Sequence, residues 1–332
     1  MTKAGSKEQG AALLTVLMIV AAISVAALAV TQSVTQAAIR SKALDAQAQL
    51  TFYAASAEEV AKARITEILE PLENKLHSDL PGLGEPQTIP LDNGVLIVTA
   101  RDATNCFDVN RLTQSNDGGR LVADADAQQS YQALLTHLIQ GSFETDTIGL
   151  VSALTDWMDD NTVPGSGGAE DGYYLSETPS YRTSGQKLES ISELRSIRGY
   201  TEEIYTTVRP AICALPQDYS TIPGLLNINT LDERHVPLFQ MAFSDALSSE
   251  DARTLISSRP QGGWPDTESL LEDPLVNQIA PDRIRTDLLG VVTSQVEVSA
   301  NVSYRGHDMT ILYLFAVQPG RPIRTLRRER IG

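Results

Sequence analysis

Residues 11–30 read AALLTVLMIVAAISVAALAV and continue, with no Gly or Pro before Pro71, into TQSVTQAAIRSKALDAQAQLTFYAASAEEVAKARITEILEPL, residues 31–72. Only Thr15 and Ser24 interrupt the apolar run of 11–30. Twenty residues of helix rise roughly 30 Å, the hydrocarbon thickness of a bilayer. A cleaved secretory signal would be shorter and would give way to a polar, irregular start. Here Ala, Leu, Gln, Glu and Lys, all good helix formers, carry the pattern on, so one helix is expected from about 11 to 70. Its first third is apolar all round and reads as a membrane span. Beyond it, Ile39, Leu50, Tyr53, Val60 and Ile65 are expected to form a stripe that docks on a globular body.

The chain has 332 residues and 35.9 kDa, enough for about two domains at roughly 150 residues each. Lys and Arg total 26 against 42 Asp and Glu, and a net charge of −16 makes nucleic acid a poor partner. The charge is uneven. The start is slightly basic (Lys3, Lys7 and Arg40 against Glu8), and five Arg against Glu329 close the chain, so the surplus acid lies between residues 41 and 320. Such a body is soluble and suited to hard cations such as calcium. Two cysteines, Cys106 and Cys213, are too few for a zinc or iron–sulfur site, and in an exported protein they are the smallest disulfide framework.

After the helix, Pro81 to Pro90 reads as a linker and Val95–Ala100 as a short strand. Helical spacing returns over 121–160, with Tyr131, Leu134, Leu135 and Leu138 on one face, a break near Gly141, and a second helix begun by Ile148, Leu150, Val151 and Leu154 and weakened at its start by Gly149. Further helices are expected at 189–209, 231–247, 249–258 and 281–288. Near the end, VVTSQVEVSANVSY and MTILYLFAV are β-branched, partly alternating runs joined by RGHD, a hairpin pattern. Arg321 to Arg330 is expected to be a frayed basic tail. Strands at both ends with helices between them imply an α+β body interrupted by a helical insertion.

The leader MTKAGSKEQG ends at Gly10 directly before the apolar helix, with its positive residues on the cytoplasmic side by the positive-inside rule. This arrangement resembles type IV pilins and pseudopilins, in which a prepilin peptidase cuts after the last Gly of the leader and methylates the new terminus. Gly10 and Ala11 match those two positions. The superfamily usually carries Glu at mature position five, and here that position is Thr15. The anchor, then CFDVNRL, DWMDDNTVPGSGGAEDGYY, RPAICALP and LLNINTL, together resemble the general secretion pathway protein K family, the large minor pseudopilins of type II secretion systems.

That resemblance covers nearly the whole chain and implies an α+β fold. A pilin-like long N-terminal helix and a small antiparallel sheet would be interrupted by a large inserted α-helical domain. The expected organisation is a leader at 1–10, a transmembrane segment at 11–30 and the periplasmic part of the helix at 31–80. A pilin-like β segment would follow at 81–112, the inserted domain at 113–212, a further helical segment at 213–289, and the hairpin and basic tail at 290–332. The resemblance also implies a pseudopilus tip shared with I- and J-type minor pseudopilins, contact with the major pseudopilin, an inner-membrane anchor and a periplasmic body. A tip subunit has nothing above it to supply the partner amine, so Thr15 removes a carboxylate that would lack a partner there. By the same resemblance Cys106 and Cys213 would staple the two ends of the insertion in an oxidising periplasm.

The stretch Asp156–Tyr174 carries Asp156, Asp159, Asp160, Asn161, Glu170 and Asp171 around a Gly-rich turn. From the residues alone, a solvated acidic loop and a calcium site stand equal, since the spacing is not that of an EF-hand. The resemblance favours calcium, one or two ions, with Asp159, Asn161, Glu170 and Asp171 as first ligands. The segment LLNINTLDERHVPLFQMAF with SSEDARTLISSRPQGGWPDTESLL is similar to helix-hairpin-helix modules. It has no Gly between Phe239 and Asp251, and Asp245, Glu250 and Asp251 stand where phosphate would approach, so a structural role is expected and no nucleic-acid partner. G-x-S-x-G, H-E-x-x-H and P-loop patterns are absent, and His77, His137, His235 and His307 are scattered, so no enzyme is expected. Two other classes compete with the secretion reading: a minor pilin for adhesion or motility, and a membrane-anchored DNA receptor.

Overall fold

The computed structural model describes residues 6–139, 146–215, 226–318 and 320–331. Helix α1 spans Ser6–Leu69. It passes through Gly10 and Ala11 without interruption, so the leader position lies inside a continuous helical backbone. The side chains from Leu13 to Leu44 are exposed, and α1 is long and apolar enough to cross a membrane.

Burial on α1 begins at Ala46 and continues through Leu50, Ala54, Ala57, Ala61, Ile65 and Leu69, a stripe at helical spacing. This corrects part of the expected docking stripe. Ile39 and Val60 are exposed and Tyr53 is half-buried, while alanines do most of the docking. Small side chains let the helix axis approach the sheet closely, which larger apolar residues would prevent.

The sheet under α1 contains β1 (Gln87–Leu91) and β2 (Gly94–Asp102) from the first half of the chain. Its remaining long strands are the last ones in the chain: Gln295–Tyr304, His307–Ala316 and Arg324–Ile331. The strand expected at 95–100 is therefore longer, and part of the expected 81–90 linker is a strand. Pro90 is tolerated because β1 is an edge. The C-terminal hairpin turns tightly at Arg305 and Gly306, both at positive φ (49° and 79°). The basic end is not a frayed tail. It pairs antiparallel with the preceding strand from Thr310↔Ile331 to Ala316↔Arg324, with one register shift at Leu314/Phe315.

Everything between Asp102 and Gln295 leaves and re-enters the sheet at one end, because β2 and the Gln295–Tyr304 strand are neighbours and Asp102 lies opposite Val296. The elements of this insertion are β3 (Phe107–Asp108), β4 (Thr113–Ser115), β5 (Leu121–Ala123), α2 (Ala125–Ile139), α3 (Thr147–Met158), α4 (Asp171–Tyr174) and α5 (Glu202–Val208). They continue with β6 (Ile212–Cys213), β7 (Leu226–Asn227), α6 (Val236–Met241), α7 (Ser249–Ser257), α8 (Thr267–Leu271), α9 (Pro274–Asn277) and β8 (Leu289–Gly290). The long sheet strands that follow are β9 (Gln295–Tyr304), β10 (His307–Ala316) and β11 (Arg324–Ile331), giving the sheet order β1-β2-β9-β10-β11.

Two hydrophobic cores result. One joins α1 to the sheet, from Ala46 to Val317, and the other runs from Phe107 to Val291. The expected divisions at 112/113 and 212/213 both fall inside the second core, so the described residues from Phe107 to Val291 form one packed body. The helices expected at 189–209 and 281–288 are shorter pieces. Gly199, at φ 86°, separates the turn Ile191–Ser196 from α5, and only single tight turns occupy Pro281–Arg283 and Thr286–Leu288. Helix α6 stops early, where Ser244 and Asp245 take positive φ. The break expected near Gly141 lies outside the described residues.

The sheet is oriented along α1. Arg305 at the hairpin tip stands 3.7 Å from Asp45, on the side of the apolar span. At the opposite end the Thr293 amide donates to the Asn74 carbonyl at 3.1 Å. The insertion therefore crowns the end of α1 that is distal to the span.

Candidate functional site

Three features position function: the crown's acidic loop, its neck, and the face of α1. Helix α3 starts with Asp146 as its cap, accepting from the Gly149 amide at 3.0 Å, and ends at the acidic run. The chain then folds back so that Gly165 donates its N–H to both oxygens of Asp156 at 3.1 Å. A Cβ at Gly168 would collide with the same carboxylate, which explains why the turn is glycine-rich.

This loop buries Asp156, Asp159 and Glu170, with the first two near enough for their charges to act on the third. Burial pushes the Glu170 carboxyl up to about 7, and the charges of Asp156, Asp159 and Asp171 add to the shift. Burial likewise raises Asp156 to about 6, against the hydrogen bonds from Gly165 and Ala169, and raises Asp159. Glu170 Oε1 is buried with no hydrogen-bond partner.

The other expected ligands are engaged elsewhere. Asp171 accepts from Arg182 at 2.6 Å and from the Thr183 amide at 3.0 Å. Asp160 accepts from the Leu121 amide at 2.7 Å. Asn161 donates to Asp159 at 2.7 Å while its own oxygen takes the Val163 amide at 2.7 Å. Among the described residues no three His, Cys, Asp or Glu side chains stand together as a formed metal cage. An orphaned buried carboxylate oxygen beside two acids whose charges raise its pKa nonetheless suits a hard cation, which takes oxygens from backbone and water as well.

At the neck, β3 and β6 run parallel, Phe107 opposite Ile212 and Asp108 opposite Cys213, and the sulfurs of Cys106 and Cys213 are bonded. Beside them Asp102 gathers the entering and leaving chains. One oxygen accepts from Thr104 and from Thr293 (2.6 Å), and the other from Asn227 and Thr230, both at 3.0 Å.

On α1, sequence reasoning missed Glu58. Its side chain lies on the alanine stripe and is buried, and Arg328 grips it with two nitrogens at 2.6 and 2.8 Å. The spacing held the signal, since position 58 follows Ala54 by one helical repeat and a carboxylate there demands a cation. Thr15 lies in the exposed apolar stretch of the same helix.

Comparison with known proteins places these features in a family. Residues 105–217 and 226–291 match the family model described as type II secretion system (T2SS), protein K. The type II secretion system protein K of Pectobacterium carotovorum subsp. carotovorum is 32% identical over 276 residues, 82% of this chain and 81% of the relative. A putative type II secretion system protein K of Escherichia coli K12 is 32% identical over 268 residues, 80% of this chain and 79% of the relative. Among solved structures, a chain of the GspK-GspI-GspJ complex from the enterotoxigenic Escherichia coli type 2 secretion system superposes with a TM-score of 0.74 at 26% identity, covering 88% of this chain and 99% of that one.

Proposed function

This chain belongs to the type II secretion system protein K family, and from that membership we propose that it closes the tip of a pseudopilus together with I- and J-type minor pseudopilins. It is a minor pseudopilin. The observation that carries the tip placement is the position of the crown: the described residues between Asp102 and Gln295 sit on the end of α1 distal to the apolar span, where a further subunit would have to stack.

In this reading the prepilin peptidase removes the leader after Gly10, and Ala11 becomes the mature start. Residues 11–30 hold the chain in the inner membrane and the acidic body stands in the periplasm. The exposed face of α1 then bundles with the helices of its neighbours, including the major pseudopilin. Thr15 suits a subunit with no neighbour above it, because a carboxylate buried there would have no partner.

Calcium belongs to the same reading. Asp156, Asp159 and Glu170 would be the inner carboxylates, with Asn161 and Asp171 flanking them. A bound cation supplies the positive charge that lets these acids ionise together. The chain's part is to bury and aim the carboxylates and to hold the Gly165–Gly168 turn against Asp156.

Co-expression of the full chain with its I- and J-type partners tests the tip reading. A three-subunit complex is expected, together with retention of exoproteins in the periplasm when the gene is deleted. Loss of surface pili with normal exoprotein release would move the chain to a different machine.

A further inference from the structure

The basic end of the chain is an ordered strand with an open outer edge, and we propose that β11 docks an extended acidic segment of a partner protein, which joins the sheet as a further strand. In the sheet order β11 is terminal, so one row of its backbone N–H and C=O groups faces away from β10. Its last four residues, Arg328 to Ile331, are exposed. The strand is also held in place. Thr325 and Arg328 both reach Glu58 on α1, at 2.6 Å for the threonine hydroxyl, so the edge is a fixed template.

Charge selects the occupant. The strand reads RTLRRERI on a chain with a net charge of −16. Arg328 is consumed by Glu58, but Arg327 has its nearest acid, Glu329, only at 4.0 Å, and Arg330 is exposed. An acidic segment is repelled by most of this surface and attracted at this edge. A second copy of β11 would place arginine against arginine, which disfavours self-pairing. Anionic lipid or a nucleic-acid backbone would satisfy the arginines but offers little to the row of carbonyl oxygens, whereas a peptide supplies donors and acceptors at strand spacing.

The test uses the purified full chain in detergent micelles and a fluorescent peptide alternating Glu with Thr or Val, read by anisotropy and by amide exchange over residues 324–331. The Glu peptide is expected to bind at least about tenfold tighter than its Lys counterpart, and the pair Arg327→Glu and Arg330→Glu is expected to reverse that preference. Methylating alternate peptide nitrogens should weaken binding by about tenfold, and bound peptide should slow exchange along β11. Arg330 is exposed and Arg327 half-buried, and both substitutions leave the Glu58–Arg328 pair intact, so an unchanged melting temperature confirms the fold. Equal binding of Glu and Lys peptides would overturn the proposal, as would indifference to methylation, which would mean ion pairing alone. Failure of the peptide beside Arg327- and Arg330-dependent binding to phosphatidylglycerol vesicles would overturn it in favour of lipid.

Discussion

Glu58, buried toward the C-terminal end of α1, and Arg328, on the last strand of the sheet, form a two-pronged ion pair at 2.6 and 2.8 Å that ties the first helix to the last strand. Burial alone would raise the Glu58 carboxyl, but Arg328, Thr325 and Lys62 outweigh it and bring it down to about 2 from 4.5. A group depressed in this way stabilises the fold fully above its unfolded value and loses that contribution as pH falls toward the folded one. Glu58→Gln should therefore cost about 2 kcal/mol near neutral pH, after allowing for the solvated outer face of Arg328, and the difference from wild type should shrink between pH 5 and 2. Urea unfolding of a soluble fragment starting near Ala43 measures it. A difference that stays constant with pH would contradict the assignment.

The acid loop predicts the opposite pH sense. In metal-free protein Glu170 sits at about 7 and Asp156 at about 6, both above their ordinary values, so the folded state holds more protons than the unfolded one and stability falls as pH rises from about 4 through 7. Calcium is expected to remove that fall. Chelator should lower the melting temperature of the fragment by several degrees at pH 7.5 and have little effect at pH 5. Glu170→Gln should abolish the calcium response while melting normally without the ion. A melting temperature indifferent to chelator at both pH values would argue against a structural ion.

Reduction of Cys106–Cys213, or Cys106→Ala with Cys213→Ala, opens a covalent loop spanning 107 positions. On the chain-entropy model this destabilises the body by up to roughly 4–5 kcal/mol. The loss should fall on the crown, so the two tryptophans of the chain, Trp157 and Trp264, both in the crown, should report unfolding earlier than the sheet does in a reducing melt. Two titratable thiols in protein isolated from periplasm would contradict the bridge.

The mature terminus provides a further check. Mass spectrometry of membrane-derived protein should find a methylated Ala11 start that depends on the prepilin peptidase. An intact Met1 start would remove the processed-pseudopilin reading.

What could be read from the sequence follows the range of the forces involved. Helix α1 was legible because its determinants are local: no Gly or Pro, strong helix formers and an apolar first third. Its docking face was misread because Val60 and Ile39 look more apolar than Ala54 and Ala57, yet close packing against β9 and β10 selects small residues. The C-terminal hairpin announced itself through β-branched alternation. Strand β11 did not, since an arginine-rich segment reads as solvated, and it is a strand only because β10 offers an edge and Glu58 offers a charge. At the acid loop the residue types were visible, but which carboxylates converge depends on the turn at Gly165–Gly168, and Arg182, eleven residues downstream, draws Asp171 away. The division of the insertion at 212/213 failed for a related reason, because only tertiary packing reveals that Tyr131 and Phe239 share one core.

The adjacency of Asp102 and Gln295 has a consequence for ancestry and for engineering. Because the crown departs from β2 and returns through the neighbouring β9, deleting it would require joining two adjacent strand ends with a short loop, and the remaining helix and sheet would still close as a headless pilin. The head is thus a graft on a complete rootstock, with its own core and its own covalent clasp. A head of different shape grafted at that neck would also have to meet the segment after α1, where Ser78 donates to Asn229 and Asp79 accepts from Gly262.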